Sequence, residues 1–158
     1  MNPSSPKPCL WFNGRAEDAA RFYVSVLGGE LGDISRYGEG APFPAGTALV
    51  VEFILRDVAF QALNGGPMYA LSPAMSLSVT CKDQSELDRT WDALLADGGR
   101  ESRCGWLTDR FGLSWQIVPQ GMAEVFAGPD AAGTARAMGA MMGMVKLDIA
   151  ALEQAYRG

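Results

Sequence analysis

The sequence predicts an α+β fold made of two βαβββ repeats with helices added at the C-terminus. Three observations carry that expectation: a strand, helix, strand and hairpin order that occurs twice, an amphipathic helix in each copy that stops at a Gly-Gly pair, and a composition suited to one well-cored domain. The 158 residues are 48% hydrophobic and 20% charged, the balance of a globule rather than of a disordered chain. Thirteen Lys and Arg against eighteen Asp and Glu leave a net charge of −5. No basic run appears, so a nucleic-acid surface, which needs clustered cations against phosphates, is not expected. Histidine is absent altogether. That removes imidazole bases, Ser-His and Cys-His nucleophile pairs, imidazole metal ligands and the usual near-neutral pH sensor.

The elements follow in order. After a Pro-rich lead, Cys9 to Phe12 reads as a short strand closed by the Asn13-Gly14 turn signal. Glu17 to Leu27 carries apolar residues at Ala19/Ala20, Phe22/Tyr23 and Val26/Leu27, the spacing of one helix face, and Gly28-Gly29 ends it. A weak strand is expected over Leu31 to Tyr37, then a Pro/Gly loop over Gly38 to Gly46. Thr47 to Leu55 and Val58 to Leu63 form a hairpin around Arg56-Asp57. The second copy has a strand over Met75 to Cys81. Asp83 with Glu86 resembles a capping box at the start of a helix that runs to Gly98-Gly99. Arg100 to Cys104 is a weak strand, and Gly105 to Thr108 pairs with Leu113 to Val118 around Asp109-Arg110-Phe111-Gly112. Glu17 falls on Glu86 at an offset of 69 residues, and Phe60-Gln61 on Trp115-Gln116 at an offset of 55. The first copy holds its extra length in the Pro/Gly loop. The repeats occupy about 8–67 and 74–120 of a domain spanning 8–120, and 121–158 form a helical extension expected to pack on the domain or on a partner. In that extension Met138, Met141, Met142 and Met144 suggest a helix covering a sheet or a partner subunit, with a flexible lid as the alternative. Asp148 is placed to cap a last helix over Ile149 to Tyr156.

Two such units are expected to set their sheets face to face around a shared cleft. Alternation assigns the faces. Leu10, Phe12, Phe60, Leu77, Val79 and Trp115 should lie under the helices. Cys9, Trp11, Gln61, Ser76, Ser78, Thr80 and Gln116 should face the other way. Glu52 is the only charge within Ala48 to Leu55. On a half-buried face, desolvation would raise its pKa and suit it to a base. Trp106 is assigned to the pocket or to a dimer seam. Cys104, with no histidine to activate it, reads as a small buried thiol. Gln61 and Gln116 can equally be amides satisfied by their neighbours. Asp109 shapes its turn, and Asn64-Gly65-Gly66-Pro67 is a turn before it is a site.

The string from Cys104 through Trp106, Asp109, Gly112, Trp115 and Gln116 to Pro119 resembles the signature of the PhnB-like proteins, also called the 3-demethylubiquinone-9 3-methyltransferase-like family. Leu10 to Gly14 with Ala16-Glu17, Phe22-Tyr23, Ala62 to Pro67, and Lys146 to Leu152 are similar to the family in the same order. The resemblance implies the vicinal oxygen chelate architecture of glyoxalase I, bleomycin-resistance proteins and extradiol dioxygenases, a curved-sheet cleft usually found in dimers. Metal-dependent relatives hold a divalent ion with His and Glu. Here the matching places carry Gln116, its repeat partner Gln61, Pro8-Cys9 and Ser76 to Ser78, neutral donors poorly suited to a transition metal. No G-x-G-x-x-G opens a helix after a predicted strand, so methyl transfer with a nucleotide cofactor is not supported.

The expectation is therefore a metal-free, cofactor-free small-molecule-binding protein whose ligand contacts are Cys9, Trp11, Glu52, Gln61, Ser78, Trp106 and Gln116. Catalytic residues are not assigned. An enzyme of the same superfamily acting on a small metabolite is the alternative, and an interaction protein with a closed cleft is the third reading. A homodimer and a cytoplasmic location are expected. Three cysteines, Cys9, Cys81 and Cys104, imply no disulfide framework. No segment resembles a signal peptide or a membrane span, which needs roughly 18 apolar residues.

Overall fold

Alternating apolar residues build two four-stranded sheets with the same connectivity, one in each of two units. The computed structural model describes residues 6–158. In the first unit, Met1–Leu71, the order is β1 (Cys9–Phe12), α1 (Ala16–Leu27), β2 (Gly29–Arg36), β3 (Ala48–Leu55) and β4 (Val58–Asn64). The sheet runs β1-β4-β3-β2, with β1 parallel to β4 and the remaining pairs antiparallel. Leu10, Phe12, Val51, Phe53, Leu55, Phe60 and Ala62 are buried on one face, where α1 lays Ala19, Ala20 and Tyr23 against them. Phe53 and Phe60 are register partners whose rings stack at 5.3 Å. Arg56 and Asp57 both take positive φ, 43° and 71°, which matches the twist of a two-residue hairpin.

The second unit, Ser72–Gly158, repeats the plan with β5 (Ser76–Cys81), α2 (Gln84–Leu95), β6 (Arg100–Glu101), β7 (Trp106–Thr108) and β8 (Ser114–Pro119), ordered β5-β8-β7-β6. Its core is Leu87, Trp91, Leu94, Leu107, Leu113, Trp115 and Ile117. Asp83 accepts Glu86 N–H at 2.8 Å, while the Glu86 carboxylate accepts Lys82 N–H, one residue beyond the N-cap N–H that a reciprocal box would use. Asp109 is buried and accepts from Phe111 N, Leu113 N and Trp115 Nε1, which fixes the β7–β8 turn from inside.

Three helices follow: α3 (Met122–Phe126), α4 (Ala131–Met142) and α5 (Ile149–Arg157). Cys104 N and Gly105 N donate to Met144 O and Val145 O, and Leu147 is buried beside Gly105. Asp148 caps α5 by accepting from Ala151 N at 3.0 Å. The methionines of α4 do not cover a sheet of their own unit, so only that half of the methionine expectation is corrected and the partner-covering half stands as an expectation. The buried face of α4 consists of Gly133 and Ala137, small residues that let it approach α5, while Met138 and Met142 are exposed.

Candidate functional site

Strand register decides which of the expected residues meet. In the first sheet Cys9 lies opposite Gln61 and Gln61 opposite Glu52, so the three form one row across β1, β4 and β3. The second sheet repeats the row: Ser78 opposite Gln116, and Gln116 opposite Trp106, across β5, β8 and β7. A glutamine occupies the middle of both. In each sheet the row lies on the face away from the helix, because the flanking residues Leu10, Phe53, Phe60 and Ala62, or Val79, Leu107, Trp115 and Ile117, are buried beneath it.

In the first row Gln61 Nε2 donates to Glu52 Oε1 at 2.7 Å, and Lys7 Nζ donates to Glu52 Oε2 at 2.5 Å. These bonds reverse the expected titration of Glu52. The Gln61 amide, and after it Lys7, hold the carboxyl below its ordinary range despite partial burial. It is accordingly a weak base. Beside it lies a depression of about 400 Å³ lined by Lys7, Gly32, Asp33, Ser35, Val50 and Glu52. β2 can pass this close because position 32 is glycine: a Cβ there would stand 3.1 Å from Glu52 Cβ. Cys9 is exposed, yet the sheet around its thiol pushes the pKa upward, so it stays protonated near neutrality. Trp11, two residues along β1, is half-buried and clamped at its edge. Its Nε1 donates to Gly66 O at 2.8 Å, Tyr69 meets it edge-on at 5.0 Å, and its ring occupies the space a Cβ at Gly65 would need.

The second row carries no formal charge. Gln116 Nε2 donates to Ser76 Oγ at 2.9 Å, Ser78 and Thr80 are exposed, and Trp106 is half-buried on β7. Cys104 is half-exposed, against the expectation of a buried thiol. Its φ of 58° turns the chain outward ahead of β7, leaving Sγ 3.8 Å from Met142 Sδ. A separate hollow of about 200 Å³, bounded by Pro119, Met122, Ile149 and Leu152 among others, contains none of the expected residues.

The residues fit a divalent ion poorly. The first row offers a protonated thiol, an amide and a carboxylate already shared by Lys7 and Gln61. The second offers a hydroxyl, an amide and an indole. Among the described residues no group of three or more His, Cys, Asp or Glu is placed to hold a metal. Also among them, no helix is long and apolar enough to cross a membrane. Sequence reasoning missed Lys7, Asp33 and Ser35. Lys7 was within its reach: alternation from Cys9 and Trp11 puts position 7 on the same face. Asp33 and Ser35 lie where the β2–β3 register shifts between Leu31 and Ile34 and again between Ser35 and Arg36, and a simple period of two cannot follow that.

Comparison with known proteins now places the chain. The model of a family described as 3-demethylubiquinone-9 3-methyltransferase matches residues 5–118. The PhnB protein from Bacillus cereus is 32% identical, with a TM-score of 0.68 over 73% of this chain and 99% of that one. A protein from Pseudomonas aeruginosa is 26% identical, with a TM-score of 0.59 over 73% and 98% of the two chains. The fosfomycin resistance protein FosX from Mesorhizobium loti, at 15% identity, shares the fold with a TM-score of 0.54 over 80% and 99%. No curated protein matches the sequence. With the family match extending over both βαβββ units, the chain belongs to the 3-demethylubiquinone-9 3-methyltransferase (PhnB-like) family.

Proposed function

We propose that the protein binds a small organic molecule on its open sheet faces without a resident metal ion. The observation that supports this most directly is the duplicated row, Cys9–Gln61–Glu52 and Ser78–Gln116–Trp106, with polar or aromatic side chains on the face opposite each helix. A face meant only for solvent has no need of two half-buried glutamines at matching places, each held by a neighbour. Trp11 and Trp106 supply apolar surface, and Gln61, Gln116 and Ser78 supply directional hydrogen bonds, the mixture usual in small-molecule sites. A homodimer and a cytoplasmic location belong to the same proposal.

The second reading is an enzyme acting on a small metabolite, supported by the matched family's description as a methyltransferase. It would turn on Glu52, which the hydrogen bond from Gln61 and the ion pair with Lys7 weaken as a base. Native mass spectrometry of freshly purified protein tests the proposal. The expected spectrum shows a dimer carrying a small organic compound and no stoichiometric metal, and the compound is lost from the Gln61→Leu/Gln116→Leu variant with its circular dichroism unchanged. Stoichiometric zinc, nickel or iron overturns the metal-free reading. A protein that retains no compound, and gains no thermal stability from any member of a metabolite library, overturns the binding reading.

A further inference from the structure

Gln61 stands in the middle of the first row with only one end of its side chain committed. Its Nε2 donates to Glu52 Oε1, and Glu52 Oε2 is taken by Lys7. The two ends of a glutamine amide are often interchangeable, but not here. An ionised carboxylate only accepts hydrogen bonds, so the NH2 end must face Glu52 and the carbonyl end must point away. Lys7 keeps that carboxylate ionised and fixed in place. Gln61 Oε1 accepts from no described residue. Gln116 differs. Its partner Ser76 has a hydroxyl that can donate or accept, so the Gln116 amide can present either end to a ligand.

We propose that Gln61 is a fixed hydrogen-bond acceptor on the open face of the first unit, that the compound bound there places an N–H or O–H group opposite Gln61 Oε1, and that Glu52 and Lys7 are positioning residues. The assignment rests on the small-molecule reading above and narrows it to donor-bearing ligands. The other groups facing this place agree with it. Asp33 and Glu52 line the adjoining depression with one lysine between them, which disfavours an anion. The Cys9 thiol is a weak donor that a ligand N–H or O–H readily outcompetes.

Two matched pairs of probes separate a donor from its methylated twin: phenol against anisole, and indole against 1-methylindole. Each is titrated at millimolar concentration into the full-length protein and followed by the backbone and side-chain amide resonances of the first unit. The donor-bearing member should bind about fivefold more tightly, the factor a single net hydrogen bond supplies. Gln61→Leu should level each pair while both members still bind. Glu52→Gln, whose own amide satisfies either end of Gln61, should cut the preference to about twofold or less, and Lys7→Arg should keep it. In the ligand-free protein the Gln61 side-chain NH2 protons should shift as Glu52 titrates, and the donor preference should fall over the same acid range. A purely structural ion pair would leave the donor preference unchanged across that range. NH2 resonances indifferent to the Glu52 titration overturn the fixed orientation. Equal affinities within both pairs overturn the acceptor role and leave the small-molecule reading standing. If none of the four probes shifts a resonance on this face, the small-molecule reading fails there and the acceptor role fails with it.

Discussion

Asn64 shows how much one side chain can hold. Arg15, at the N-cap of α1, makes no side-chain capping bond. Instead Asn64 Oδ1 accepts Ala16 N–H at 2.9 Å, while its Nδ2 donates to Ala48 O at 2.9 Å on β3. The residue is 1% exposed, so water cannot replace either bond. Asn64→Leu, nearly the same size, leaves a buried donor and a buried acceptor without partners. It should cost about 2–4 kcal/mol of stability in urea denaturation. A loss under about 0.5 kcal/mol would mean that Asn64 is not what holds the start of α1. The sequence presented Asn64 only as the first residue of a Gly-rich turn, because its partners lie 48 and 16 residues away. Asp109 was legible for the opposite reason: its backbone partners Phe111 and Leu113 are two and four residues away. Glu52 was half legible. Its place in β3 could be read from alternation, but not the direction of its pKa shift, which depends on Lys7 45 residues off.

Long elements with a clear period were the readable ones. β3, β4, β8, α1 and α2 all lie within a few residues of where periodicity places them, since each buries a continuous apolar face. β6 shrinks to Arg100–Glu101, both exposed, and the five-residue α3 carries too short a pattern to register. The tail depends on a contact that no local pattern reveals. Gln84, at the start of α2, donates to Leu147 O at 3.1 Å and accepts Ile149 N–H at 2.9 Å, while Lys146 pairs with Asp88 one turn further along the same helix. Gln84→Ala removes both backbone tethers but leaves the Leu147 side chain buried beside Gly105. Hydrogen exchange at Ile149 and through the first turn of α5 should quicken about tenfold to thirtyfold, with the amides of β8 unchanged. Unchanged exchange at Ile149 would show that apolar packing alone fixes the tail.

Across the whole molecule the absence of histidine sets how stability responds to pH. No other side chain of ordinary pKa titrates between about pH 5.5 and 7, so folded and unfolded states bind the same number of protons there. Four carboxylates bound this window on the acid side, and Lys146 and Cys9 bound it on the alkaline side. Glu17 and Glu52 are held below their ordinary 4.5, and Asp88 and Asp130 below 3.8, first by hydrogen bonds from Arg36, Gln61, Lys146 and the Gly133 backbone respectively. A depressed carboxylate stabilises the fold fully above its unfolded pKa and loses that contribution as pH falls through the folded value, so stability should decline below about pH 4.5. On the alkaline side, Lys146 is raised above 10.5 by Asp88, and its contribution disappears as pH climbs through the folded value. Cys9 is raised above 9.0 by desolvation, so ionisation favours the unfolded chain from about pH 9 upward. Urea denaturation at constant ionic strength should therefore give a plateau, flat to within about 0.2 kcal/mol between pH 5.5 and 7. Because these ion pairs are at least partly exposed, the acid decline should become shallower in 0.5 M salt, where the Debye length is only about 4 Å. A slope near 0.7 kcal/mol per pH unit inside the plateau, about half a proton, would reveal a carboxyl or thiol displaced into the neutral range, and with it a reactive group that the weak-base account of Glu52 and the protonated Cys9 does not allow.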